Sequence, residues 1–158
     1  MENLNNDFIN ILNQKLDKYK KSKSHHYRKN QYIESLFNIG SYLNKIKKNR
    51  TKIKEYKLQI IKFTDILIDN PYLTEKEISD LVREYLYDII SFLKSEHSFV
   101  DRHVWFWSGI FNLVLDLILI IVGVAKYYFY VPIFTIIAVI RNILKLKKAK
   151  KEGRYIGF

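Results

Sequence analysis

Along the first hundred residues, apolar positions recur at steps of three and four, the spacing that gives an α-helix one buried face. A first series from Leu4 to Leu16 predicts a helix over about residues 4–21. A second series predicts a helix over about 30–69. Its apolar members, alternately four and three residues apart, are Tyr32, Leu36, Ile39, Leu43, Ile46, Ile53, Ile60 and Leu67. The predicted fold class is therefore all-α.

The second series leaves two arrangements open. Three positions of the same spacing hold polar residues instead, namely Arg50, Lys57 and Thr64, and no proline interrupts the series. One continuous helix of the coiled-coil type would be roughly 50 Å long, at about 1.5 Å per residue. Alternatively, the charged run KKNRTK at 47–52 is a hinge between two antiparallel helices. The three polar positions weaken the coiled-coil interpretation and favour a helical hairpin.

The predicted helix of this region ends near residue 70, and a third helix begins a few residues later. Asn70 precedes Pro71, and a residue before proline avoids the helical region of backbone angles. Thr74 and Glu77 have the spacing of a capping box, in which each side chain satisfies a free amide at the helix start. The apolar face that follows predicts a helix over about 74–95. The helices together form a predicted cytosolic domain over residues 1–100.

Residues 104–124 differ from everything before them, since they contain no Lys, Arg, Glu or His and a single Asp. About 20 apolar residues suffice to cross a hydrocarbon core of ~30 Å, so this stretch predicts a membrane span. Aromatic residues typical of the two membrane interfaces flank the span, namely Trp105, Trp107, Tyr127, Tyr128 and Tyr130.

A second apolar run, 127–142, follows after a very short connection and predicts a second span. Arg141 is long enough to bring its guanidinium group to a membrane surface. Residues 143–158 form a predicted basic cytosolic tail, and basic flanks of a span stay on the cytoplasmic side. The predicted protein is integral to the membrane, with a two-span hairpin and both termini cytoplasmic. The side chains predicted to contact anionic lipid headgroups are Arg141, Lys145, Lys147, Lys148, Lys150, Lys151 and Arg154.

Two other arrangements compete with the membrane hairpin. A wedge that enters one leaflet and returns would suit the shortness of the second run and Pro132. A soluble protein with two hydrophobic core helices would need a polar face on each helix, and residues 117–124 offer none.

Three polar residues interrupt the first predicted span. Ser108, Asn112 and Asp116 are four residues apart and form one stripe along a helix. Counted from a turn near residue 125, the depth of Asp116 matches that of Thr135, whereas Arg141 is displaced by about 10 Å. Asp116 either bonds Asn112 or Thr135 and holds the hairpin or an oligomer together, lines a water-filled path in an oligomer, or meets a cation from a partner.

Composition excludes several kinds of site. The 158 residues carry a net charge of +11 and no cysteine, so disulfides, thiolate catalysis and the common structural zinc sites are excluded. His97 and His103 are six residues apart, which does not place them on one helical face, and no carboxylate cluster at metal-ligand spacing adjoins them. No phosphate-binding glycine loop or nucleophile motif occurs. We therefore expect no cofactor, no metal and no enzymatic activity.

The basic tail raises the question of nucleic acid. The stretch LTEKEISDLVREYL resembles the first helix of a helix-turn-helix unit, but neither a turn glycine nor a recognition helix follows it. Beside a membrane span, anionic lipid headgroups are the nearer partner for basic side chains. We therefore predict membrane lipids, and not nucleic acid, as the partner of the tail.

Three functions fit this layout. A helical module followed by two spans resembles the small two-span membrane effectors of bacterial defence and toxin systems. That resemblance implies an oligomeric effector or channel-like protein controlled by its cytosolic domain. The alternative is a non-conducting anchor, scaffold or immunity-type protein whose helices over 30–95 bind a cytosolic protein partner. The third function is a hairpin wedge that shapes or thickens membranes.

Overall fold

The computed structural model describes residues 3–22, 29–46, 50–121 and 133–158. The helices in this part of the chain are α1 (Asn3–Lys21), α2 (Lys29–Lys45), α3 (Arg50–Asp69), α4 (Glu75–Tyr85), α5 (Tyr87–His97), α6 (Val104–Ile121) and α7 (Ile133–Lys151). Two short strands, β1 (Val100–Asp101) and β2 (Tyr155–Ile156), complete the described elements. The all-α class expected from the apolar periodicity is confirmed.

The segment outlined as one helix over 30–69 is two helices, which agrees with the favoured helical hairpin and not with one continuous helix. α2 ends at Lys45 and α3 begins at Arg50, which places the break at the charged run KKNRTK; residues 47–49 lie outside the described part of the chain. α1 packs against both α2 and α3, and these two contact each other. Because the chain reverses, the apolar positions of both helices face a core within one molecule.

Two polar members of the second series are core residues. Thr64 is fully buried, and its Oγ1 donates to the Ile60 carbonyl at 2.8 Å, which satisfies the hydroxyl within the helix. Lys57 is 3% exposed; its Nζ donates to Asn44 Oδ1 at 2.8 Å and lies 5.1 Å from the centre of the Phe8 ring. Burial lowers the pKa of Lys57. The buried face of α3 therefore includes these two polar residues of the second series.

α4 begins with the expected capping box. The Thr74 amide donates to Glu77 Oε2 at 2.7 Å, and the Glu77 amide donates to Thr74 Oγ1 at 3.2 Å. The hydrogen bond from the Thr74 amide, followed by that from its hydroxyl, lowers the pKa of Glu77. The prediction of this helix start is confirmed.

The helix expected over 74–95 is interrupted at Leu86, which separates α4 from α5. Leu86 has φ −115° and ψ −10° and is fully buried. Ile78 of α4 and both Ile89 and Leu93 of α5 are completely buried in one core. The apolar face therefore continues across the interruption at Leu86.

The last sixteen residues do not form a separate tail. α7 continues past Asn142 to Lys151, so the expected boundary between span and tail falls inside a helix. Gly153 then has φ 66°, a left-handed conformation that turns the chain at low cost. Tyr155, Ile156 and Gly157 are buried against the helical domain. Residues 143–158 are thus corrected to half a helix, a turn and a strand.

β1 and β2 form a parallel pair that we call the strand clasp. Val100 N donates to the Arg154 carbonyl, and Arg102 N donates to the Ile156 carbonyl, both at 3.0 Å. Beyond the clasp, Gly157 N donates to Ser35 Oγ at 2.8 Å, and the ring of Phe158 stacks 5.8 Å from that of Tyr32. The clasp therefore fixes the start of α6 and the end of α7 to the same place on the helical domain.

Candidate functional site

The antiparallel pair of α6 and α7 has an inverted distribution of polar and apolar side chains. Trp107 is 68% exposed, Phe111 72% and Ile121 83%, and most other apolar side chains of α6 also face outward. Asp116, by contrast, is only 6% exposed. A soluble protein rarely exposes a large contiguous apolar patch, and it rarely buries a carboxylate. The outer surface of this pair is therefore suited to apolar surroundings.

Among the described helices, α6 alone is long and apolar enough to cross a membrane. Its 18 residues span roughly 27 Å at about 1.5 Å per residue. α7 does not meet the same test, because Arg141 and Lys145 follow its short apolar start. The two-span hairpin stays a prediction: residues 122–124 of the first span and 127–132 of the second lie outside the described residues, as do Tyr127, Tyr128 and Tyr130.

Asp116 closes the N-terminal end of α7. The Thr135 amide donates to Asp116 Oδ2 at 2.9 Å, and Thr135 Oγ1 donates to the same oxygen at 2.6 Å. Thr135 is the third residue of α7, and the first amides of a helix have no acceptor within it. A carboxylate is also favoured by the positive end of the helix dipole. The carboxylate therefore acts as a cap supplied by the neighbouring helix, at the depth that residue counting indicates.

The other two members of the polar stripe bond along α6. Asn112 Nδ2 donates to the Ser108 carbonyl at 2.7 Å, and both residues are half-buried. Arg141, displaced along the pair, is exposed. The polar groups of α6 thus obtain their partners within the helix pair.

The predicted lipid-contact residues fall into two groups. Those on α7 are exposed: Arg141, Lys145, Lys147, Lys148, Lys150 and Lys151. Arg154 differs, because it pairs with Glu152 and donates to the carbonyls of His97 and Ser98 at 3.5 and 3.4 Å. Arg154 therefore holds the turn after α7 against the end of α5.

Aromatic side chains cluster at the start of α6. Trp105 is 41% exposed, and its ring lies 6.0 Å from that of Phe106, which in turn lies 5.8 Å from the ring of Trp107. An amphipathic aromatic cluster suits the level of lipid headgroups.

A cavity of about 670 Å³, which we call the junction cavity, lies where α6 and α7 meet the helical domain. Its polar lining includes Lys94, Asp101, His103 and Lys145, and Lys94 forms an ion pair with Asp101. Sequence reasoning missed this cavity because its walls come from distant segments. The one local signal is that His103 and Trp107 lie four residues apart, on one face of the helix start.

Within the described residues, no three His, Asp or Glu side chains are grouped so that they could hold a metal ion. Comparisons with protein families, curated proteins and solved structures find no match for this chain.

Proposed function

We propose that this protein is a membrane anchor, in which α6 and α7 enter a bilayer and hold α1–α5 at the membrane face as a protein-binding module. The observation that supports it is the inverted surface of α6, with exposed Phe111 and Ile121 and a buried Asp116. Removing apolar surface from water is favourable by about 25 cal/mol per Å². Hydrocarbon around α6 would therefore stabilise an arrangement that water disfavours.

The strand clasp supports an orientation with both ends of the helix pair on one side. It joins the residues before α6 to those after α7, and the basic half of α7 adjoins it. Basic residues near a span are retained on the cytoplasmic side. With Trp107 at the headgroup level, Asp116 lies roughly 14 Å deeper, close to the middle of a core of ~30 Å.

The satisfied polar stripe supports a non-conducting anchor over a channel-like effector. Asp116 bonds Thr135, and Asn112 bonds Ser108. A conducting oligomer would need these groups to face a shared water-filled path. In the proposed anchor, they stabilise the helix pair instead.

The helical domain carries exposed aromatic side chains suited to a protein partner. Tyr72 is 82% exposed, and Tyr87 and Phe37 are also exposed. Aromatic residues are enriched in protein–protein interfaces relative to the rest of the surface. These residues support a partner-binding role for α2–α5.

Membrane insertion is tested by placing one charge on the outer face of α6. We expect Ile118→Arg to lower the fraction of protein that resists extraction from membranes by alkaline carbonate. A charged side chain near the bilayer centre costs about 3 kcal/mol on insertion scales. The matched control is Leu58→Arg on α3, because Leu58 is 45% exposed and Ile118 50%. Equal extraction of the two variants would contradict the anchor.

Conduction is tested separately with a potential-sensitive dye in proteoliposomes. We expect the unsubstituted chain, Asp116→Leu and Asn112→Leu all to leave the membrane potential intact. Depolarisation by the unsubstituted chain that either substitution abolishes would establish the channel-like effector in place of the anchor.

A further inference from the structure

The junction cavity has one wall from each part of the molecule. Ile90 of α5 and Phe99 line the domain side, and Val104 and Trp107 line the side of the helix pair. At about 670 Å³, its volume lies within the ~300–1,000 Å³ range of small-molecule sites. With the pair inserted as proposed, the cavity lies at the membrane surface, because exposed Trp107 is part of its lining.

The charge of the cavity favours an anion. Asp101 is neutralised by its ion pair with Lys94. Lys145 and His103 also line the cavity, and among the described residues neither forms an ion pair. An ammonium group and an imidazole N–H are both donors that phosphate oxygens accept, and bonds from a charged donor are the stronger ones.

We propose that the junction cavity binds the headgroup of one anionic phospholipid. Lys145 and His103 hold the phosphate, the Ser108 hydroxyl is a further donor within the lining, and the acyl chains leave along Trp107. This inference rests on the proposed membrane anchor. It names a defined lipid site at the base of the helix pair, distinct from general attraction to the basic surface of α7.

The apolar part of the lining selects a lipid over soluble phosphate. Val104 and Trp107 continue directly into the outward-facing apolar surface of α6. A free phosphate would leave these walls without an apolar partner, whereas the glycerol and chain carbons of a phospholipid would cover them. The same continuity gives a lipid a path from the bilayer into the cavity.

The site is tested through Trp107 as a local reporter, in a Trp105→Phe background that leaves one tryptophan. The full chain is reconstituted in phosphatidylcholine vesicles with small, equal fractions of brominated phosphatidylglycerol or brominated phosphatidylcholine, whose bromines quench nearby fluorescence. We expect quenching by the anionic lipid to be about fivefold stronger, the preference that one lysine near an anionic surface supplies.

The matched control separates the cavity from surface charge. Lys145→Gln removes a lysine of the cavity, and Lys147→Gln removes an exposed lysine of the same helix that does not line it. We expect Lys145→Gln to abolish most of the preference and Lys147→Gln to retain it. Equal quenching by both lipids, or equal loss in both variants, would overturn the site.

Two further measurements separate the remaining explanations. Exchanging potassium chloride for potassium phosphate at equal ionic strength should leave the lipid preference unchanged; its loss would show a soluble phosphate ligand and overturn the lipid assignment. Carbonate extraction is scored on the same vesicles. If the chain resists extraction but shows no preference, the lipid site alone fails; if the unsubstituted chain is extracted, the anchor on which it rests fails.

Discussion

The Asp116 carboxylate is unfavourable in apolar surroundings, but its hydrogen bonds stabilise the helix pair. Its Oδ2 accepts both the amide and the hydroxyl of Thr135, so one side chain satisfies two donors. An unsatisfied buried amide or hydroxyl would cost about 1–3 kcal/mol by mutational measures. The same carboxylate would be expensive against lipid. When Asp116 caps α7, the donors of Thr135 gain an acceptor and the carboxylate is kept away from lipid, so both penalties are avoided.

Lys57 is a buried charged residue of the helical domain, as Asp116 is of the helix pair. Its burial leads to a prediction about how stability depends on pH. Burial lowers its folded-state pKa, so between that value and the unfolded value near 10.5 the unfolded chain binds more protons. Stability from this group therefore rises with pH through that window. We expect Lys57→Met to remove this rise and to leave stability at pH 7 unchanged or increased by up to about 2 kcal/mol, since a thioether needs no hydration.

Urea denaturation in detergent micelles, followed by circular dichroism at neutral and alkaline pH, measures this effect. Lys62→Met, an exposed lysine of the same helix, is the control. If the two variants show the same pH dependence, desolvation of Lys57 is not its source.

At the scale of elements, Gly40 lies where α2 packs closely against α1. A Cβ built at Gly40 would lie 2.3 Å from Leu12 Cδ2 and 3.4 Å from Phe8 Cε1, and both side chains are fully buried. We expect Gly40→Leu to destabilise the protein by about 1–3 kcal/mol, because extra carbons in a packed core force side chains from their preferred rotamers.

The shift in the urea midpoint measures the cost, with Glu34→Leu on the exposed side of α2 as the control. A near-neutral effect of Gly40→Leu would mean that α1 moves away freely and that this crossing contributes little to the core.

At the scale of the whole molecule, the strand clasp joins the helix pair to the domain. Ile156 is 2% exposed in the core that contains Phe63 and Ile89. We expect Ile156→Ala to weaken docking of the last residues by about 2–5 kcal/mol, the usual cost of deleting a buried aliphatic side chain. Trypsin should then cleave after Arg154 faster, as followed by mass spectrometry.

The matched control is Ile143→Ala, which removes the same atoms from an exposed position of α7. Cleavage after Arg154 at the same rate in both variants would show that the turn at 152–154, and not the docked strand, protects the bond.

Much of the helical content was predictable, because helix periodicity and capping act over a few residues. The capping box of Thr74 and Glu77 and the first helix follow from spacing alone. The interruption at Leu86 and the burial of Lys57 were not predictable, because both residues are buried among neighbours that come from other helices. For the candidate site, depth counting paired Asp116 with Thr135, but the junction cavity required segments brought together by folding.

The sequence by itself determined that the chain is helical and that one helix is apolar enough to cross a membrane, since periodicity and hydropathy are properties of contiguous residues. Only the tertiary structure decided that Asp116 turns toward α7 and that the final residues join the domain. Gly157 and Ser35 are 122 positions apart when they bond. Such contacts depend on how distant surfaces match, and no local pattern encodes that match.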